Sequence, residues 1–223
     1  MTKNILIAVT NVDYFGDGRT RTGLWFEEFA VPYVTFLENG YHVSVASLKG
    51  GEVLLDPQSE NFINDIKWHE AKKALDNTEK LENFDMNMYD AIVFPGGHGP
   101  MSDIAESELV GEIVSDFYKK GKLIAAVCHG PAGLLTAKKD DGDYIVSGKR
   151  VTCFTNKEEE FYKKTELLPF SLEDALKDRH AIFEELPVGE INVVVDGNII
   201  TGQNYQSSQT FADTIVKYLS DTI

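Results

Sequence analysis

Cys128 and His129 are the residues whose types and position most directly suggest chemistry. The apolar run Leu123 to Cys128 leads into them, and Gly130 and Pro131 follow. A nucleophile at the end of a buried strand, between small residues, is typical of a nucleophile elbow, a sharp turn that lifts the side chain above the sheet. A helix beginning near Pro131 would direct its N-terminus at the thiol and lower the thiol pKa, so we expect a thiolate at neutral pH. The alternative is an inert core cysteine.

A second turn, Phe94 to Pro100, also follows a buried strand and contains two adjacent glycines. In open α/β sheets, ligands bind beyond the carboxyl ends of the strands, where this turn lies. Gly96 and Gly97 let the backbone approach a substrate, so the N–H groups of Gly97 and His129 are candidates for an oxyanion hole. His98 is a candidate substrate-binding residue, and its alternative role is to occupy the turn.

The other cysteine of the chain is Cys153, which lies in a Val-Thr-Cys-Phe run. Two cysteines are too few for a disulfide scaffold in a chain of this length. We therefore expect Cys153 to be a core residue.

Short apolar runs alternate with segments of helical periodicity, and these elements must position the candidate residues. Strands too apolar to expose either face indicate a parallel sheet covered on both sides. The expected fold is α/β: a doubly wound, mostly parallel, flavodoxin-like sheet with helices on both faces, forming a single domain over 1–223. The predicted strands are Asn4 to Thr10, Tyr41 to Ser47, Asp90 to Pro95 and Leu123 to Cys128, and the predicted helices are Thr22 to Glu38, Ser102 to Lys120 and Ser207 to Leu219.

Three further segments carry local predictions. Residues at about 50–85 form an inserted segment with its own short helix around Ala71, because a structureless loop of that length is improbable in a compact domain. Tyr144 to Val146 and Arg150 to Phe154 indicate a hairpin or a pair of short strands. Asp196-Gly197 predicts a hairpin of the Asp-Gly type.

The composition excludes several classes of protein. The 223 residues include 21 Lys plus Arg and 36 Asp plus Glu, which gives a formal charge of −15. Such acidity argues against nucleic-acid binding, which needs a basic footprint. No apolar run approaches the roughly 20 residues that span a bilayer, and no cleavage-type site follows the N-terminus. We expect a cytoplasmic protein without a membrane or nucleic-acid partner.

Three motifs together resemble the ThiJ/PfpI superfamily, which shares the class I glutamine-amidotransferase-like fold. They are the stretch from Ala126 to Pro131, the Pro-Gly-Gly-His-Gly turn before it, and Thr22 to Glu28. More narrowly, the chain resembles the branch that contains glutathione-independent glyoxalases (glyoxalase III) and heat-inducible chaperones. The resemblance covers nearly the whole chain, including the inserted segment.

The resemblance implies a set of catalytic residues. The nucleophile of the family falls on Cys128 and its general base on His129. An acid on the first helix falls on Glu28 rather than Glu27. The acid that orients the histidine falls on Glu159, with a register uncertain by one within Glu158, Glu159 and Glu160. Without the resemblance, the expected role of these three glutamates is at the solvent-exposed start of a helix, where the helix dipole favours acidic residues.

The resemblance implies no metal, glutathione or nucleotide cofactor. Larger chaperones of the superfamily bind a metal through two His and one Glu, but the matching places here hold Leu37 and His42. The implied activity is that of a glyoxalase III-type lyase (D-lactate dehydratase) with a cysteine nucleophile. It would convert small 2-oxoaldehydes such as methylglyoxal to 2-hydroxy acids such as lactate, with Glu28 or His129 moving the proton.

Three other functions stay open at the level of sequence. The same residues would support removal of early glycation adducts from proteins. A stress chaperone or holdase would need an exposed apolar patch. A cysteine peptidase or amidotransferase fits the Cys-His pair, although Glu28 beside the thiol suits proton transfer better than peptide cleavage. Members of the superfamily often form homodimers, and no segment of this sequence identifies an interface.

Overall fold

The structure, a computed structural model, describes residues 2–221 and leaves the side chain of Phe62 undescribed. Its centre is a seven-stranded sheet in the order β3-β2-β1-β4-β5-β9-β8, and a separate two-stranded sheet pairs β6 with β7. The strands are β1 (Asn4–Val9), β2 (His42–Ser47), β3 (Glu79–Lys80), β4 (Ala91–Phe94), β5 (Leu123–Val127), β6 (Arg150–Val151), β7 (Ile182–Phe183), β8 (Val193–Asp196) and β9 (Ile199–Gly202). The α-helices are α1 (Phe26–Glu38), α2 (His69–Ala74), α3 (Glu108–Lys119), α4 (Asn156–Phe161), α5 (Leu172–Asp178) and α6 (Ser208–Asp221).

The central sheet is parallel except at one edge. All of its pairings run parallel apart from β8 with β9, which are antiparallel. This confirms the predicted doubly wound, mostly parallel α/β fold. The strand order places β4 and β5 side by side in the middle of the sheet, so the turns after them, which contain His98 and Cys128, meet at the same edge.

Helices cover both faces of the sheet, and alternate residues of β1 show how. Ile7 packs in one buried cluster with Phe29 of α1 and Phe211 of α6, while Leu6 packs in the opposite cluster with Phe117 of α3. Each of these side chains is fully buried. Burial of a large apolar side chain stabilises a fold by about 1.5–3 kcal/mol, so the two layers explain why β1 is apolar on both faces.

The first helix begins later than its sequence pattern suggested. A start near Thr22 was one expectation, but α1 begins at Phe26 and continues through Pro32 to Glu38. The residue before it, Trp25, supplies no side-chain cap. Instead, the Phe26 N–H donates to Oγ of Ser59 at 3.0 Å, a hydrogen bond from the inserted segment.

The inserted segment contains the predicted short helix and a strand that the sequence did not reveal. Helix α2 buries Ala71, and Leu75 directly after it is buried as well. The segment then returns to the sheet as β3, which pairs with β2 at the edge. A two-residue strand is too short to show alternation, so its pattern could not indicate a strand.

Of the two hairpins predicted near the C-terminal half, one is wrong and one is confirmed. Tyr144 forms only an isolated antiparallel bridge with Lys138, and residues 145–146 lie in a turn, while β6 pairs in parallel with β7 instead of with them. The apolar character of Ile145 and Val146 arises because both are buried in the core beneath α3. Strands β8 and β9 form the Asp196-Gly197 hairpin, with Gly197 at a φ of +63°.

Among residues 2–221, no helix combines the length and the apolar character needed to cross a membrane.

Candidate active site

Cys128 stands at a strained turn at the end of β5. Its φ of +60° lies in the left-handed region, which a non-glycine residue adopts only when its surroundings enforce it. Gly130 shows the tightness of the turn, since a Cβ there would lie 1.9 Å from the Phe94 carbonyl oxygen. At Gly96 a Cβ would lie 2.6 Å from the His129 nitrogen. The elbow and the neighbouring turn are therefore in direct backbone contact, which only glycine permits.

The electrostatics of the thiol differ from the sequence expectation. The segment after Cys128 is a 3-10 helix of five residues, Gly130–Leu134, rather than an α-helix with a developed dipole. Burial, followed by the negative charge of Glu28, raises the pKa of the Cys128 thiol well above its usual value, although the Gly97 N–H partly opposes the shift. The predicted low-pKa thiolate is thus wrong for the resting site, because a buried carboxyl replaces the expected helix terminus.

Glu28 lies directly behind the sulfur. One carboxyl oxygen, Oε2, accepts a hydrogen bond of 2.9 Å from the Gly96 N–H. The other, Oε1, is buried and has no hydrogen-bond partner among the described residues. Burial raises the pKa of Glu28 well above its usual value. Two adjacent buried anions are costly, so Glu28 and Cys128 form a pair that holds at least one proton at neutral pH.

His129 connects the thiol to an acid. Its Nδ1 atom lies 3.3 Å from the Cys128 sulfur, and its Nε2 atom lies 2.6 Å from Oε1 of Glu159. Burial alone would raise the pKa of Glu159, but the charge and hydrogen bonds of His129 and His98 outweigh it and lower this pKa to about 2. Glu159 is therefore ionised at neutral pH and orients the imidazole, as the third member of a Cys-His-Glu arrangement.

The register of the three adjacent glutamates follows from how α4 begins. Thr155 is the N-cap: its backbone N–H donates to Oε2 of Glu158 at 3.0 Å, and its Oγ1 accepts from the Glu158 N–H at 3.1 Å, which forms a capping box. Glu158 is thus committed to the helix start, and the next residue, Glu159, turns toward His129. Glu160 is exposed. Since Glu158 and Glu159 are buried, a solvated helix start does not describe them.

His98 contacts both Glu159 and His129, although its position in a glycine-rich turn gave no sign of these contacts. Its Nε2 atom is 3.2 Å from Oε2 of Glu159, and its ring centroid is 4.1 Å from that of His129. One N or O atom each from His98, His129 and Glu159 lies within 4.8 Å of the others, but the Nε2 atoms of both histidines already hydrogen-bond the Glu159 carboxylate. Sequence separation hid this cluster, because the signal was a single His in a glycine turn 61 residues from Glu159.

Comparison with known protein families identifies the family to which the chain belongs. The DJ-1/PfpI family matches residues 26–218, which span α1, the elbow, α4 and most of α6. The chain belongs to the DJ-1/PfpI family. This confirms the resemblance that its motifs suggested.

Several relatives align over almost the whole DJ-1/PfpI chain. The solved structure of Rapid Encystment Protein 24 KDa from Francisella tularensis is 35% identical, with a TM-score of 0.91, over 98% of this chain and 99% of that one. Glyoxalase III from Candida albicans is 28% identical, with a TM-score of 0.82, over 96% of each chain. Glutathione-independent glyoxalase HSP31 of Saccharomyces cerevisiae is 29% identical over 94% of this chain and 95% of the relative.

In this DJ-1/PfpI protein, a cavity of about 270 Å³ opens above Cys128. The thiol, His98 and His129 face its floor, and aromatic rings form its walls. Trp25 stacks on Tyr205 with centroids 5.0 Å apart. The remaining wall and rim residues are Phe154, Tyr162, Gln58 and Lys164.

The structure brings together the residues singled out from the sequence. Cys128, His129, Glu28 and Glu159 form one continuous group of contacts, and Gly96 and Gly97 lie against it. Cys153 is fully buried and donates its S–H to the Phe154 carbonyl at 3.2 Å, which confirms it as a core residue. Phe154, Tyr162, Tyr205 and Lys164 were not identified from the sequence as cavity residues, because nothing in their spacing distinguishes them from packing residues.

Proposed function

We propose that this protein is a glutathione-independent glyoxalase, a lyase with a cysteine nucleophile that converts 2-oxoaldehydes to 2-hydroxy acids. The observation that carries the proposal is the placement of the Cys128 sulfur between a protonatable carboxyl, Glu28, and the Nδ1 atom of His129, on the floor of a cavity. A reaction that only moves protons and hydrolyses a thioester needs this set. The relatives named glyoxalase III and glutathione-independent glyoxalase support the same activity.

The first step is addition of the thiol to the substrate aldehyde. As the sulfur bonds to carbon C1, the thiol proton passes to Nδ1 of His129, whose positive charge is stabilised by the ionised Glu159. The aldehyde oxygen becomes an oxyanion, and we assign its stabilisation to the backbone N–H groups of Gly97 and His129. His129 then gives the thiol proton to this oxygen, which forms a hemithioacetal and leaves His129 neutral. The buried Glu28 limits the negative charge that can accumulate at the sulfur.

The second stage is an internal oxidation and reduction. Removal of the C1 proton and protonation at C2, through an enediol, oxidise C1 to a thioester and reduce the C2 ketone to a hydroxyl. Water then attacks the thioester, releases the 2-hydroxy acid and returns the proton to the sulfur. With methylglyoxal the product is lactate. Electrons balance within the substrate, so no external oxidant or reductant is required.

The test compares two cysteine substitutions in the same protein. Purified protein is incubated with methylglyoxal without added thiol, and lactate is measured. Cys128→Ala should abolish lactate formation, while Cys153→Ala, which removes the buried core thiol, should retain most of it if the variant remains folded. Lactate formation by Cys128→Ala at the wild-type rate would overturn the proposal.

A second comparison tests the role of the carboxyl behind the sulfur. Glu28→Gln removes a titratable group that is fully buried beside Cys128, whereas Glu27→Gln changes its half-buried neighbour. We expect the first variant to lose turnover by at least 100-fold and the second to retain it, since Glu28 shares a proton with the sulfur and acid–base participation by a positioned group contributes about 10²–10⁴-fold. Equal losses in the two variants would contradict the assignment.

A further inference from the structure

The Glu159 carboxylate contacts the Nε2 atoms of two histidines, His98 and His129. Its Oε1 lies 2.6 Å from Nε2 of His129, and its Oε2 lies 3.2 Å from Nε2 of His98. An ionised carboxylate only accepts hydrogen bonds, and the low pKa of Glu159, about 2, keeps it ionised. Both histidines must therefore carry a proton on Nε2.

The protons on Nε2 determine the protonation state of the Nδ1 atoms of the two histidines. In a neutral imidazole with Nε2–H, the Nδ1 atom has a free lone pair. Nδ1 of His129 faces the Cys128 sulfur at 3.3 Å. Nδ1 of His98 has no hydrogen-bond partner among residues 2–221, and it is not among their fully buried polar atoms that lack one. His98 lines the cavity, its side chain is 10% exposed, and Nδ1 is the ring nitrogen that Glu159 leaves free to accept a proton.

His98 also has the character of a base that is neutral before the reaction. Burial, followed by the charge of His129, lowers its pKa below the ordinary value. If it gains a proton, the resulting imidazolium remains 3.2 Å from the ionised Glu159, which stabilises the charge.

The other two bases near the sulfur are less suited to a second proton transfer. Glu28 is fully buried behind Cys128 and does not line the cavity. Nδ1 of His129 faces the Cys128 sulfur at 3.3 Å, where it relays the thiol proton during hemithioacetal formation. The proposed reaction nevertheless requires a base at carbon C1 after that step.

We infer that His98 is the base that moves the proton from C1 to C2 of the substrate. Its Nδ1 takes the C1 proton, which leaves an enediolate and an imidazolium, and then returns the same proton to C2, so that His98 ends the step neutral. The proton of the C1 hydroxyl passes to the neighbouring C2 oxygen, so C1 becomes the thioester carbonyl and C2 the carbon that carries the hydroxyl. No other reactant is needed. This inference rests on the proposed glyoxalase function and assigns a catalytic residue within it.

The test separates thiol chemistry from proton transfer in His98→Ala and His98→Gln. With methylglyoxal, we expect both variants to lose at least 100-fold in kcat. Alkylation of Cys128 by iodoacetamide should stay within about threefold of wild type, since His129 and Glu28 are unchanged. Methylglyoxal deuterated at C1 should give a larger kinetic isotope effect on kcat than in the wild type. Added imidazole should partly restore turnover in His98→Ala, because the substitution opens space beside the cavity.

His98→Gln guards against a merely structural effect, because its amide can still donate to Glu159 but cannot act as a base. The control variant is His69→Ala, at an exposed position on α2, which should keep the wild-type kcat. Wild-type turnover in folded His98→Gln would overturn the role of His98 but not the proposed glyoxalase function. The same conclusion would follow if Cys128 alkylation fell in parallel with turnover. A wild-type protein that forms no lactate would overturn the proposed function and the assignment with it.

Discussion

Gly130→Ala offers a direct test of the elbow geometry, because a single methyl group would meet a fixed backbone atom. The added Cβ would lie 1.9 Å from the Phe94 carbonyl oxygen, whereas real Cβ contacts are essentially never shorter than 3.0 Å. Phe94 pairs with Ala126 in the middle of the sheet and cannot easily retreat. The elbow itself must therefore move, by about 1 Å or more, to remove a clash of this kind.

The size of the effect follows from that displacement. A misplacement of about 1 Å in a catalytic group costs on the order of 100-fold in rate. Overpacking typically costs about 1–3 kcal/mol of stability. In a chain of this length each kcal/mol lowers Tm by roughly 2–4 °C. We therefore expect Gly130→Ala to lose at least 100-fold in kcat/KM with methylglyoxal and to melt several degrees lower.

The assay pairs activity with thermal unfolding and uses Gly16→Ala as the matched control. Gly16 is exposed, and a Cβ added there would have no heavy atom within 4 Å, so the same substitution should leave activity unchanged. A folded Gly130→Ala protein with wild-type kcat/KM and Tm would refute the close contact between the elbow and β4.

Two further predictions concern the acid and the cavity wall. Because the folded-state pKa of Glu159, about 2, lies below its ordinary 4.5, the ionised carboxylate stabilises the fold above pH 4.5. That contribution, on the order of 3 kcal/mol at about 1.36 kcal/mol per pKa unit, is lost as the pH falls toward 2. In urea unfolding, Glu159→Gln should thus be less stable than wild type at pH 6, with a smaller difference at pH 3; a difference independent of pH would contradict this. Trp25→Ala should lower kcat/KM about tenfold for phenylglyoxal, since an aromatic pair contributes about 0.5–1.5 kcal/mol, and less than threefold for methylglyoxal. Trp68→Ala, outside the cavity, should change neither value, and equal losses for both substrates in Trp25→Ala would show that the ring does not contact the aryl group.

The features predicted from sequence are those encoded by local pattern. The apolar runs of β1, β4 and β5 identified the central strands, and Asp196-Gly197 identified the hairpin. In each case neighbouring residues in the chain determine the structure. The same reasoning located Cys128 at the end of a strand, because small residues must surround a sharp turn.

The features that escaped prediction depend on distant residues. The thiol pKa was expected to fall because a helix was predicted after Pro131, but burial, followed by the charge of Glu28 far earlier in the chain, raises it. The strand Arg150–Val151 pairs with Ile182–Phe183, a partner with no local signal. His98 looked like a turn residue because its contact with Glu159 exists only once β4, β5 and α4 are assembled. Sequence periodicity carries no information about such pairings.

The hydrogen bond between Phe26 and Ser59 has a consequence for how this protein folds. Because α1 has no local cap, its first turn is completed only when the inserted segment is in place, and α1 carries Glu28. The buried bond between Oγ1 of Thr22 and Oδ2 of Asp56 reinforces the same junction. The inserted segment and the start of α1 therefore belong to one cooperative unit, whose local opening would expose the Phe26 amide to hydrogen exchange. The carboxyl behind the nucleophile is thus held by a helix whose first turn is completed by a side chain 33 positions further along the chain.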